Sequence, residues 1–258
     1  MLAHLGVKVQ SFASSLGQIF RLLTEKVHYT FHPPFPLRSL VTQMVKIGWD
    51  SLPVIFFTAV ATGAILALQT AHAIMTYITG AEQFVGGVVA LAVTRELGPI
   101  LCAIMVAGRA GSGITAEIGS MKVTEQIDAL VTLSCSPVHF LVVPRVLAGM
   151  VMLPVLTIFT NFIAIIGGYV VSVYELNLNA SQYMKTTLDF LEFGDVAFGL
   201  LKAFVFGIVI TLLASYHGFK TAGGAEGVGK ATTKAVVSIC MSILFFDYVL
   251  TSLFTVSF

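Results

Sequence analysis

Near the N-terminus the apolar positions Leu2, Leu5, Val9, Phe12, Leu16, Ile19 and Leu23 advance by alternating steps of three and four, with Lys8, Ser11, Ser15, Gln18 and Arg21 between them. That period draws one apolar stripe along a helix. The segment is too polar to span a bilayer, and its basic face suits the headgroup plane of an anionic membrane, although a helix that docks on a partner protein has the same pattern. His32-Pro33-Pro34-Phe35-Pro36 then breaks the chain, because closely spaced prolines remove amide donors and push the preceding residues out of helical geometry. A second short helix is predicted from about Leu37, leading into the membrane.

Beyond it the alternation gives way to long apolar stretches near 50–78, 84–108, 142–174, 196–217 and 231–257. Each reaches the ~20 residues that cross the hydrocarbon. Lipid offers backbone amides no water partner, and the ten-residue alternation of a membrane barrel is missing, so all five are predicted to be helices. The fold class is therefore an all-α integral membrane protein: an N-terminal amphipathic interfacial helix and elbow over 1–48, then a transmembrane domain of about five helices over 49–258. The third stretch is longer than one span needs, so either Pro154 kinks it or its ends project.

Composition agrees. Among 258 residues, 57% are hydrophobic and 10% charged, with mean hydropathy +0.93, whereas soluble domains carry about a quarter charged residues. The formal net charge is +1, and no basic run is interleaved with aromatics, which argues against nucleic acid as a partner. Cys102, Cys135 and Cys240 lack the spacing of a zinc site or a disulfide framework. The N-terminus lacks the features of a cleavable secretory signal, so it is expected to stay on the mature chain. No Ser/His/Asp or Cys/His arrangement is recoverable, and His72 reads as an interfacial or packing residue. Neither a catalytic residue nor a cofactor or metal is predicted.

Charges between the stretches set the orientation. The leader holds Lys8, Arg21, Lys26, Arg38 and Lys46; the second-to-third connection holds Arg109, Lys122 and Arg145; the fourth-to-fifth holds Lys220 and Lys230. The other two connections carry Glu82, and Glu175, Asp189, Glu192 and Asp195 against Lys185. The positive-inside rule places the N-terminus in the cytoplasm and, with five spans, the C-terminus outside.

Ionisable residues interrupt the apolar stretches at Arg95, Glu96, Lys202, Lys234 and Asp247. A charge at the bilayer centre costs about 2.5–3.5 kcal/mol on insertion scales, so each must face a partner charge, a bundle interior or a wet cavity. Function is the default reading; structural pairing, with Lys202 and Lys234 snorkelling to headgroups, is the alternative. Gly98-Pro99 directly follows Arg95 and Glu96, and a proline there either bends a cavity wall or makes an ordinary kink. Ala103, Ala107, Gly111, Thr115 and Gly119 recur every four residues, a small-residue face for close helix packing within the chain or between subunits. Glu117, Lys122, Glu125, Gln126 and Asp128 keep helix-compatible spacing in the second connection, either as a docking helix for a soluble partner or as a solvated surface helix. Gly224 through Lys230 has the spacing of a phosphate-binding loop, but Ala231 replaces the hydroxyl that magnesium requires, and the segment follows a membrane span rather than a strand.

Several segments together resemble the MlaE/YrbE permease family of Mce-associated ABC transporters. They are Ala90-Leu-Ala-Val-Thr-Arg-Glu-Leu-Gly-Pro99, Ala107-Gly-Arg-Ala-Gly-Ser-Gly-Ile-Thr-Ala-Glu-Ile-Gly119, Met121-Lys-Val-Thr-Glu-Gln126, Ala231-Thr-Thr-Lys234 and Phe246-Asp-Tyr-Val-Leu-Thr251. The resemblance covers nearly the whole chain, and the run from Ala107 to Gln126 is its most specific part. It implies a homodimeric permease of the bacterial inner membrane that moves phospholipid or related lipid, two copies of a separate cytoplasmic ATPase, and an Mce-domain protein in the periplasm. It also implies that Glu117, Lys122, Glu125 and Gln126 form a coupling helix on the ATPase, and that Arg95, Glu96, Lys202, Lys234 and Asp247 line the lipid cavity. Lys234 departs from the arginine common in the family, which keeps the charge and loses bidentate phosphate geometry. An ion-coupled carrier or channel, with Glu96 and Asp247 binding cations or protons, is the second reading, and a membrane scaffold the third.

Overall fold

A computed structural model of the chain describes residues 37–77 and 82–257, with side chains over 37–76 and 82–254. The amphipathic helix expected over Leu2–Leu23 lies outside the described residues. Among those described, every regular element is helical. In chain order they are α1 (Leu37–Ile47), α2 (Leu52–Tyr77), α3 (Val85–Ala92), α4 (Gly98–Val106), α5 (Ser112–Val123), α6 (Gln126–Thr132), α7 (Val143–Tyr174), α8 (Ala180–Phe190), α9 (Phe193–Phe219) and α10 (Gly224–Ser257).

Five helical runs are long and apolar enough to cross a bilayer: Leu37–Thr76, Glu82–Val123, Val138–Tyr174, Phe193–Phe219 and Gly224–Phe254. They overlie the five stretches read from the sequence, with the first run extended back through α1 to Leu37, the fifth back to Gly224, and the second extended forward. The second run does not stop near 108 but continues to Val123, because π-turns at Val93–Leu97 and Ala107–Gly111 join α3, α4 and α5 without ending the helix. The first π-turn answers Gly98-Pro99: Pro99 has no amide for the Arg95 carbonyl, and the wider turn absorbs that loss inside the membrane. Pro154 is likewise accommodated within α7, which runs as one helix of 32 residues. At ~48 Å it exceeds the ~30 Å hydrocarbon, so it tilts or projects.

α9 is the central helix. It buries Ala203, Phe206, Gly207, Ile210 and Ala214 between α5, α7 and α10. Small residues bring backbones together around it: a Cβ on Gly149 would stand 2.8 Å from the Gly207 carbonyl oxygen, and one on Gly167 would stand 2.7 Å from that of Val60. Such contact replaces the hydrophobic drive that lipid cannot supply between helices. The stripe Ala103, Ala107, Gly111, Thr115 and Gly119 is buried inside the subunit, with Thr115 Oγ1 donating to the Ala214 carbonyl at 3.0 Å and Gly119 facing Thr221. Of the two readings left open for it, the intramolecular one holds.

The outward faces are apolar. Phe57, Phe162, Leu201, Met241 and Phe245 are exposed, as residues that contact acyl chains must be. At the end of the bundle formed by the α2–α3 and α7–α8 connections, α8 starts with Asn179 accepting from the amides of Ser181 and Gln182. It seats Tyr183 against Tyr169, and burial pushes the Tyr183 phenol up to about 12, so the ring stays neutral.

Candidate functional site

Three of the five intramembrane charges meet at one point. Lys202 of α9 is fully buried, and its Nζ reaches Glu96 of the first π-turn, lies 3.0 Å from Asp247 Oδ1, and donates to Thr251 Oγ1 at 2.7 Å. The Thr251 hydroxyl also lies 3.3 Å from Glu96 Oε1, and the ammonium sits 4.8 Å from the centre of the Phe198 ring. The sequence explains the convergence. Asp247 and Thr251 are four apart and share a face of α10, and the π-turn swings Glu96 towards that face and α9. An ammonium this deep requires compensation, and two carboxylates, a hydroxyl and an aromatic face supply it. The group sets two carboxyl groups against one ammonium.

Arg95 turns elsewhere, as sequence neighbours on a helix do. Its Nε lies 3.3 Å from Asp195 Oδ1 on the first turn of α9, and both are part of the wall beside the buried lysine. Arg95 keeps more than a third of its side chain exposed, the most accessible cation near the cluster. Lys234 does not join. It is exposed on α10, thirteen positions before Asp247 and so ~20 Å away along the axis.

A second polar group lies at the other end of the second run. Glu117 of α5 receives Lys46 of α1 at 3.2 Å and Arg145 of α7 at 3.0 Å, and Arg145 is only 3% exposed. Arg109 pairs with Asp50 at 3.1 Å and donates to the Lys46 carbonyl at 2.7 Å and to Ser51 Oγ at 3.1 Å. α1, α5 and α7 are thus clamped by charge. Lys122 meets Asp128 at 3.0 Å. The acidic and basic residues from Glu117 to Asp128 do not lie on one helix: α5 ends at Val123, Glu125 takes a left-handed φ of 60°, and α6 starts at Gln126. Glu125 and Gln126 are exposed at that corner, and beyond it Val131 and Leu133 are exposed too.

The sequence reading missed Thr251, Asp195 and Arg145 as site residues. Thr251 was signalled by its four-residue spacing from Asp247. Asp195 was signalled by its place three residues after Glu192, where the two form a capping box. For Arg145 no local signal existed, since only the tertiary fold buries it. Gly224 to Lys230 lie in the first turns of α10, directly after the fourth span, which is not the setting of a phosphate loop.

A buried ion group inside a bundle of five membrane-length helices, a charge-clamped end and an apolar exterior together describe a membrane protein organised around polar contacts. A family model described as Permease MlaE matches residues 40–253. The chain belongs to the MlaE permease family. A probable ABC transporter permease protein of Rickettsia felis is 43% identical over 249 residues, covering 96% of this chain and 95% of that protein. One from Synechocystis is 40% identical over 213 residues, covering 83% and 80%. The intermembrane phospholipid transport system permease protein MlaE of Haemophilus influenzae is 34% identical over 257 residues, covering 98% and 96%. Membership makes the protein a multi-pass ABC transporter permease rather than an enzyme.

Proposed function

We propose that two copies of this chain form a bacterial inner-membrane permease that moves phospholipid or a related lipid between the inner membrane and the outer membrane or periplasm. The N-terminus faces the cytoplasm and the C-terminus the periplasm. Energy comes from a separate cytoplasmic ATPase, and an Mce-domain protein continues the lipid path outside. The observation that carries the reading is the Lys202 cluster: a buried ammonium held by Glu96 and Asp247 inside the bundle, beside a partly exposed Arg95, within a family whose Haemophilus influenzae member is named for phospholipid transport.

Within this reading the five cavity residues have different tasks. Lys202, already neutralised, fixes the positions of Glu96 and Asp247. Arg95 is the cation that an anionic headgroup meets first, and Lys234 attracts it at the other end of α10. Apolar walls hold the acyl chains. ATPase closure is received at Glu117, Lys122, Glu125 and Gln126 and reaches the span through the continuous run from α5 to α3.

Reconstitution with the partner ATPase tests it. Proteoliposomes carrying a labelled phospholipid should move it only with ATP, and Arg95→Ala should slow that movement about tenfold, the weight of one charge-assisted hydrogen bond. A proton or cation flux that needs no ATPase would instead assign Glu96 and Asp247 to an ion-coupled carrier.

A further inference from the structure

Where α1 meets α5, a cavity of about 490 Å³ opens between Gln43, Lys46, Asp50, Arg109 and Glu117. Four of these carry charge, two of each sign, and their contacts hold the wall together. Donors remain: an ammonium has three and a guanidinium five, more than the contacts described above consume. Gln43 is different. It is 7% exposed, and its buried Oε1 has no hydrogen-bond partner among the described residues. Buried polar atoms are nearly always paired, so this oxygen asks for an N–H or O–H donor from a group that enters the cavity.

The surroundings define that group. Two cations suit a phosphate, while two carboxylates and an amide oxygen suit an ammonium. Neither a simple anion nor a simple cation satisfies both halves. The outer face of the same element gives the depth: Leu37, Val41 and Val45 are exposed at steps of four, and the next step is Trp49, 70% exposed. An apolar stripe ending in an indole marks the headgroup level of a bilayer, and Trp49 lies in sequence between Lys46 and Asp50 of the cavity wall.

We propose that this cavity binds the zwitterionic phosphoethanolamine headgroup of a lipid in the adjacent leaflet. Its ammonium donates to Gln43 Oε1 and faces Asp50 and Glu117; its phosphate faces Arg109 and Lys46. The site is distinct from the Lys202 cluster, since Arg109 stands fourteen residues from Arg95 along one helical run, ~20 Å away. Phosphocholine has no N–H to offer, and phosphoglycerol has hydroxyls without the cation, so selectivity for ethanolamine follows. The inference holds whether or not the chain transports lipid.

Trp49 is the chain's single tryptophan, a built-in reporter at the cavity rim. The full chain is placed in phosphatidylcholine nanodiscs containing phosphatidylethanolamine, phosphatidylcholine or phosphatidylglycerol brominated near the headgroup, and Trp49 quenching is titrated. Brominated phosphatidylethanolamine should quench at about tenfold lower mole fraction than the other two, the weight of one hydrogen bond from a charged donor. Gln43→Leu should erase that preference, and Gln43→Glu, which keeps an acceptor, should retain it. Equal quenching by the three lipids would overturn the proposal, as would a preference that survives Gln43→Leu or one that Gln43→Glu also loses.

Discussion

Lys202→Met is expected to destabilise the folded bundle by about 3–5 kcal/mol, the usual consequence of removing one partner from a buried ion group. Methionine matches the lysine stem in bulk, so the effect is electrostatic: Glu96 and Asp247 are left facing each other around a fully buried position with no cation between them. Unfolding by sodium dodecyl sulfate from mild-detergent micelles, followed by circular dichroism, measures it. The triple variant Lys202→Met, Glu96→Gln, Asp247→Asn should recover most of the loss, because amides need no counter-charge and the three sites couple strongly. Wild-type stability in the single variant would mean that the cluster is wetter than its burial shows.

Glu117→Ala should have the other large effect. The carboxylate holds Arg145, which is 3% exposed, and Lys46 on α1, so its removal strands one buried cation and releases the clamp between α1, α5 and α7. In a complex with the ATPase, hydrolysis should persist while lipid movement falls by more than tenfold. Stability loss complicates that variant, so Lys122→Ala is the sharper test of the coupling role. It breaks only the exposed pair with Asp128, worth no more than about 1 kcal/mol, and should leave folding intact while weakening the link between hydrolysis and transport. Full coupling in Lys122→Ala would remove Lys122 from the ATPase contact.

These expectations show how unevenly the molecule can be read from its sequence. The five spans were legible because hydrocarbon imposes a length and an apolar composition that nothing else in a chain of this size satisfies. The intramembrane charges were legible for the same reason: Lys202 and Asp247 are conspicuous because lipid penalises them. Their pairing was not, since it depends on the rotation of α9 against α10 and on the π-turn before Pro99, which local sequence announces only as a weak point in a helix. Glu96 and Arg95 illustrate the limit. Adjacent in sequence, they pair with Lys202 and Asp195, two turns apart on α9. The helix of the second span runs on past 108 because Ala107–Gly111, loop-like in composition with two glycines and an arginine, has small residues that let α5 continue helically against α9. Arg145, counted among loop charges, became a buried partner of Glu117 only when α7 was folded against α5.

The claim that most needs testing is that this chain is a lipid permease driven by a separate ATPase. Native mass spectrometry of the complex purified in mild detergent tests it most directly. The account predicts two copies of the chain with two of a cytoplasmic ATPase and bound phospholipid; a lone, lipid-free oligomer that added ATPase does not join would contradict it.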